Sequence, residues 1–141
     1  MPVEQVFCYR NRLAGSDLPA DDCYLVALHF TGGVIGKLFV TSGCNGAEFG
    51  GFLEVYGSEG TLREGKLFRR EEEPVELPAD AGTGSAGGHG WPGAIADFLD
   101  VLTGRIVNPI PSTMGARNVA VCEAAIRSAQ TGAPVAVEWF G

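Results

Sequence analysis

The chain has 141 residues, 45% hydrophobic and 19% charged, a balance that suits one globular domain with a sizeable core. Ten Lys and Arg against 17 Asp and Glu leave a formal net charge of −7, so neither a nucleic-acid backbone nor an anionic membrane surface is an expected partner. No apolar run nears the roughly 18 residues of a spanning helix, and the start, MPVEQVFCYRNRL, does not read as a secretory leader.

Val3 to Arg10 reads as a strand, with Val3, Gln5, Phe7 and Tyr9 on one side and Glu4, Val6, Cys8 and Arg10 on the other. A loop from Asn11 to Asp22 follows. Cys23 to Phe30 is a second strand, and both of its faces are apolar. Tyr24, Val26, Leu28 and Phe30 line one; Cys23, Leu25 and Ala27 line the other, closed by His29. Thr31-Gly32-Gly33 is a tight turn, because paired glycines supply the positive φ that a short hairpin needs. Val34 to Thr41 is the return strand. After a loop from Ser42 to Gly50, the segments Phe52 to Tyr56, Thr61 to Arg63, Lys66 to Arg70 and Val75 to Leu77 read as short strands with turns between them.

Pro78 to Gly90 holds five glycines and three alanines in 13 residues and is expected to be a mobile loop. The period then changes. Ile95, Phe98, Leu99 and Leu102 sit at i, i+3, i+4 and i+7, one face of a helix. Pro92 suits its first turn and Gly104 its C-terminal cap. Ser112 is the expected N-cap of a second helix, whose buried stripe reads Val119, Cys122, Ile126 and Ala129. Gly132 and Pro134 end that helix, and Val135 to Val137 is a last strand. The order of elements gives an α+β class. The expectation is one domain over 1–141, an open, mostly antiparallel sheet of about six strands with two helices packed on one face.

Two helices cover one face of a sheet only. The uncovered face of an apolar strand is therefore expected to meet a partner, a second copy of the chain. Cys23, Leu25, Ala27 and His29, with Leu38 and Val40 of the third strand, are the candidate interface residues of a homodimer or a larger even-numbered oligomer. A fold-over of the Ser42 to Gly50 loop is the alternative cover.

Little chemistry stands out. Cys8, Cys23, Cys44 and Cys122 form no C-x-x-C pair, and the two histidines are far apart, so no metal site is expected. The cysteines read as reduced thiols of a cytoplasmic protein. Asp97 and Asp100 have no acid–base partner nearby in the chain, and Glu71-Glu72-Glu73 reads as a solvated edge. With no triad, metal cluster or paired carboxylate, no catalytic residue is assigned.

Several pieces in order resemble a known family. They are Val26-Ala27-Leu28-His29-Phe30-Thr31-Gly32-Gly33-Val34-Ile35-Gly36, then Leu53-Glu54-Val55-Tyr56-Gly57-Ser58-Glu59-Gly60-Thr61-Leu62, then Ala96-Asp97-Phe98-Leu99 with Thr103-Gly104-Arg105. Pro109-x-Pro111 and Ser128-Ala129-Gln130-Thr131-Gly132-x-Pro134-Val135 complete the succession. It is similar to the C-terminal domain of the Gfo/Idh/MocA oxidoreductase family, from about Val3 to Val137. The resemblance implies NAD(P)-dependent dehydrogenases of sugars and polyols, each with an N-terminal Rossmann domain. It also implies that the C-terminal sheet supplies part of the substrate pocket and the oligomer interface. On that resemblance Tyr9, Arg10 and Arg12, on and just after the strand bordering the pocket, are candidate substrate contacts. So are His89 and its neighbour Trp91, at the end of the glycine-rich loop.

The chain departs from the family where the chemistry would lie. Gly82, Gly84 and Gly87 spell G-x-G-x-x-G in GTGSAG, but no buried strand precedes them and Gly88 to Pro92 delay the helix, so this is no dinucleotide turn. Lys37 and Lys66 are the only lysines, and neither lies in the family's Glu-Lys-Pro motif. No Asp is followed by a His four positions on. The chain alone is therefore expected to bind no cofactor and to be catalytically inert, NAD(P) belonging to a full-length relative. It reads as a domain fragment, as one half of a split dehydrogenase with a Rossmann-domain partner, or as a stand-alone module that binds sugar-like molecules.

Overall fold

A computed structural model describes residues 1–13, 19–42, 53–77 and 91–139. In chain order the elements are β1 (Val3–Asn11), β2 (Cys23–Phe30), β3 (Ile35–Thr41), β4 (Val55–Tyr56), β5 (Thr61–Arg63), β6 (Lys66–Phe68), β7 (Val75–Glu76), α1 (Trp91–Leu102), α2 (Ser112–Thr131) and β8 (Val135–Ala136). The class is α+β, as the order of elements predicts. The strands do not join one sheet of about six; they form two antiparallel sheets of four, ordered β3-β2-β1-β8 and β4-β5-β6-β7. Strand length explains the division. β4 to β7 are two or three residues each and pair with their chain neighbours as a small meander, while β8 returns to β1. Two compact units result, Met1–Ala47 with Pro109–Gly141, and Glu48–Asn108.

In the first unit the β2–β3 hairpin closes as its glycines require. Gly32 and Gly33 both have φ of +83°, and the Phe30 amide donates to the Val34 carbonyl at 2.8 Å. Side chains alternate, so Val6 and Cys8 of β1 share a face with Tyr24, Val26 and Leu28 of β2. A register shift between Val3 and Gln5 brings Val3 onto that face as well. α2 packs on β1 and β8 there.

The helix meets the sheet through small residues: Ala120, Ala124, Ala125 and Ser128 are buried, with Val121 and Ala129 partly so. The expected stripe is thereby corrected. Val119, Cys122 and Ile126 point outward, and only Ala129 keeps its place. Hydrophobic periodicity favours bulky residues, whereas the close approach of a helix to a pleated sheet selects alanine. The N-cap is corrected too. Ser112 is the first helical residue and Pro111 takes the cap, its carbonyl accepting the Met114 amide hydrogen at 2.8 Å. Gly132 ends α2 with φ of +68°, and its amide donates to the Ser128 carbonyl at 2.8 Å.

In the second unit, Val55, Leu62, Leu67 and Val75 stand directly opposite one another across β4 to β7 and form one apolar row. α1 ends before Gly104, whose φ is +72°. Asp100 receives the Arg105 amide on its carbonyl at 2.8 Å and the Arg105 guanidinium on its carboxylate at 3.0 Å. Ile95, Phe98, Leu99 and Leu102 of α1 are 54–66% exposed. The Pro78 to Gly90 loop expected from the sequence, including GTGSAG and His89, lies outside the described residues, as does all of Ser42 to Gly50 beyond its first residue.

Candidate functional site

The face of the first sheet that α2 leaves uncovered is the main candidate. Its residues follow from register. Gln5, His29 and Ile35 lie in one row, Phe7, Ala27 and Lys37 in the next, Tyr9, Leu25 and Phe39 in the third, and Asn11, Cys23 and Thr41 in the fourth. Tyr9 is 65% exposed, Phe39 60% and Ile35 79%, so the face presents large apolar side chains to its surroundings. The Phe7 and Tyr9 rings meet edge to face with centroids 4.8 Å apart, which fixes both. Polar groups lie towards one end: His29 Nδ1 is 3.6 Å from Glu4 Oε2, and Gln5 is the cross-strand partner of His29. A shallow depression of about 240 Å³ there is lined by Gln5, Phe7, Ala27, His29, Ile35 and Pro134, among others. Lys37 is exposed and makes no ion pair among the described residues.

The predicted interface set divides between two faces. Cys23, Leu25, Ala27 and His29 share the open face. Leu38 and Val40 stand opposite Val26 and Tyr24, on the side of α2. The residues that β3 contributes to the open face are Ile35, Lys37, Phe39 and Thr41. The signal for this was in the chain: a hairpin turning on Thr31–Gly33 sets odd positions opposite odd positions, so Leu25 meets Phe39 and not Leu38 or Val40.

The predicted substrate contacts do not converge either. Tyr9 stands on the open face, while Arg10 alternates to the other, where its Nη1 lies 2.8 Å from Asp21 Oδ2. Arg12 is exposed just past the strand's end. Trp91 opens α1 in the second unit, and His89 lies outside the described residues.

The first unit has a second concavity. A groove of about 640 Å³ on the α2 side of the first unit is lined by Met1, Phe30, Met114, Arg117, Val121 and Trp139, among others. It is apolar apart from the Arg117 guanidinium and a few short polar groups. No sequence pattern links these positions.

Other chemistry is sparse. Among the described residues no group of three or more His, Cys, Asp and Glu could hold a metal ion, and no helix is long and apolar enough to cross a membrane. The described residues do not fit a dinucleotide. Its pyrophosphate rests on a turn between a strand and a crossover helix of a parallel sheet, and every described strand pair is antiparallel. Burial pushes the Cys8 thiol above the ordinary 9.0, with Arg10 pulling the other way.

Comparison with known proteins gives a consistent picture. The family model described as "Oxidoreductase family, C-terminal alpha/beta domain" matches residues 1–137. No curated protein matches the chain. Among solved structures, the WlbA dehydrogenase from Bordetella pertussis, in complex with NADH and UDP-GlcNAcA, is 24% identical with a TM-score of 0.78. The match covers 97% of this chain and 42% of that one. An oxidoreductase from Agrobacterium radiobacter, in complex with NAD+, L-tartaric acid and magnesium, is 18% identical with a TM-score of 0.77, covering 96% and 44%. A levoglucosan dehydrogenase, complexed with NADH and L-sorbose, is 17% identical with a TM-score of 0.75, covering 98% and 46%. The chain thus spans less than half the length of these three, and at these identities the likeness is one of fold.

Proposed function

Because the chain belongs to the Gfo/Idh/MocA oxidoreductase family, as its C-terminal alpha/beta domain, we propose that it is the substrate-side and assembly domain of an NAD(P)-dependent dehydrogenase of sugar- or polyol-like compounds, without turnover of its own. The observation that carries this reading is the open face of the β3-β2-β1-β8 sheet, a broad apolar surface with no acid–base or metal constellation among the described residues. Such a face suits association rather than catalysis. Hydride transfer would belong to a Rossmann-type domain, attached or separate, which relatives more than twice this length have room to carry. The second copy of this chain on the open face makes a homodimer, and a cytoplasmic location with reduced cysteines goes with that assignment.

Calorimetry tests the reading. NAD(H) and NADP(H) should give no saturable heat with this chain alone, and micromolar binding of either would overturn its inertness. A panel of sugars, sugar acids and polyols should leave its melting temperature unmoved. Stabilisation by one of them would favour a stand-alone binding module instead.

A further inference from the structure

We propose that Lys37 governs how two copies pair on the open face, its ammonium seated on an aromatic ring of the second copy. This rests on the assembly reading above. The central rows of the face are Phe7-Ala27-Lys37 and Tyr9-Leu25-Phe39. They hold three aromatic rings, one cation and no carboxylate. The Glu4 carboxylate lies 3.6 Å from His29 at the end of the face. A cation that leaves water here finds its complement in a ring.

Symmetry narrows which ring. Two sheets stacked face to face hold their strands nearly aligned or crossed near 90°. The two-fold axis of such a pair lies in the plane between the sheets. An axis running along β2 places Lys37 over Phe7 of the second copy. An axis running across β2, between the two rows, places it over Phe39. With crossed strands, one diagonal axis places Lys37 over Tyr9 of the second copy. The other diagonal stacks Lys37 on its own equivalent, an arrangement that like charges oppose. For axes passing between these two rows on β2, every arrangement left after that repulsion seats the ammonium on an aromatic face. Lys37 therefore selects among ways of pairing as well as adding attraction.

Sedimentation equilibrium of the 141-residue chain over a wide concentration range decides it, with wild type, Lys37→Met, Lys37→Gln and Lys37→Arg compared. The side chain is exposed on an edge strand, and circular dichroism checks that each variant keeps its fold. Two symmetric contacts are lost at once, so Lys37→Met and Lys37→Gln should each weaken dimerisation about tenfold or more, while Lys37→Arg keeps it. A Lys37→Met dimer as tight as wild type, or tighter, overturns the role of Lys37 and leaves the assembly standing. A wild-type chain that stays monomeric throughout overturns the assembly and the inference together.

Discussion

The Ser128 hydroxyl oxygen lies 3.0 Å from the Cys8 amide nitrogen and accepts its hydrogen, 120 positions away in the chain. β8 pairs with β1 only at Gln5 and Val6, so Cys8 lies beyond the ladder on that side. Ser128 takes the place of the missing strand and donates its own hydrogen to the Ala133 carbonyl at 2.7 Å. Ser128→Ala would leave a buried amide hydrogen unpaired and should cost about 1–3 kcal/mol of stability. Urea unfolding measures it; an unchanged midpoint would contradict this account of the helix–strand junction.

The alanine stripe of α2 makes a paired prediction. Ala124 is fully buried against the sheet and Ile126 is 44% exposed. Ala124→Leu should destabilise by about 1–3 kcal/mol through overpacking. Ile126→Ala, which removes apolar volume from an outward position, should cost less than about 1 kcal/mol. The opposite order in thermal melts would restore the stripe expected from the sequence.

Cys8 is 2% exposed and Cys122 is exposed, so native iodoacetamide labelling should modify Cys122 and spare Cys8 until the chain unfolds. The Cys8 thiol is raised by burial, so the unfolded chain loses this proton first. Its contribution to stability is whole below the ordinary thiol value of 9.0 and is lost as pH rises through the folded one. Stability should therefore fall on the alkaline side, and Cys8→Ala should flatten that fall. An identical alkaline slope in the variant would refute the linkage.

Leu25 and Leu38 separate the two faces of the sheet. Leu25→Asp should dissociate the dimer with the fold retained, while Leu38→Asp should leave association intact. Three strands about 4.8 Å apart and about 25 Å long outline roughly 350 Å², against the roughly 800 Å² of accessible area that each side of a standard interface hides. Dimerisation should therefore depend visibly on concentration. Light scattering at high micromolar concentration that gives only a 14.8 kDa species would count against it.

Hydrophobic alternation and turn residues made β1, β2, β3, both helices and the Gly132 stop legible in the sequence, because each is set by its own neighbours. The placement of Leu38 and Val40 was legible in principle, through the hairpin register. The α2 stripe was not. Alanine carries little hydrophobic signal, and its burial is decided by how closely the helix approaches β1, which ends more than 100 positions earlier. The return of β8 to β1 is a pairing of distant segments that no local pattern encodes. The arrangement of Tyr9 and Arg10 on opposite faces follows from strand alternation, which the assignment to a common pocket overrode.

The discontinuity of the first unit has a consequence for synthesis. Val3, Val6, Cys8 and Val26 leave the ribosome well before their core partners Ala120, Ala124 and Val137. The whole Glu48–Asn108 unit emerges in between. Until α2 arrives, the β1–β2–β3 meander shows apolar side chains on both of its faces and an open edge at β1. The nascent chain is in that state most exposed to mispairing, either with a neighbouring nascent copy or with itself. Closing the core across so long an intervening stretch also makes folding of this unit slow for its size.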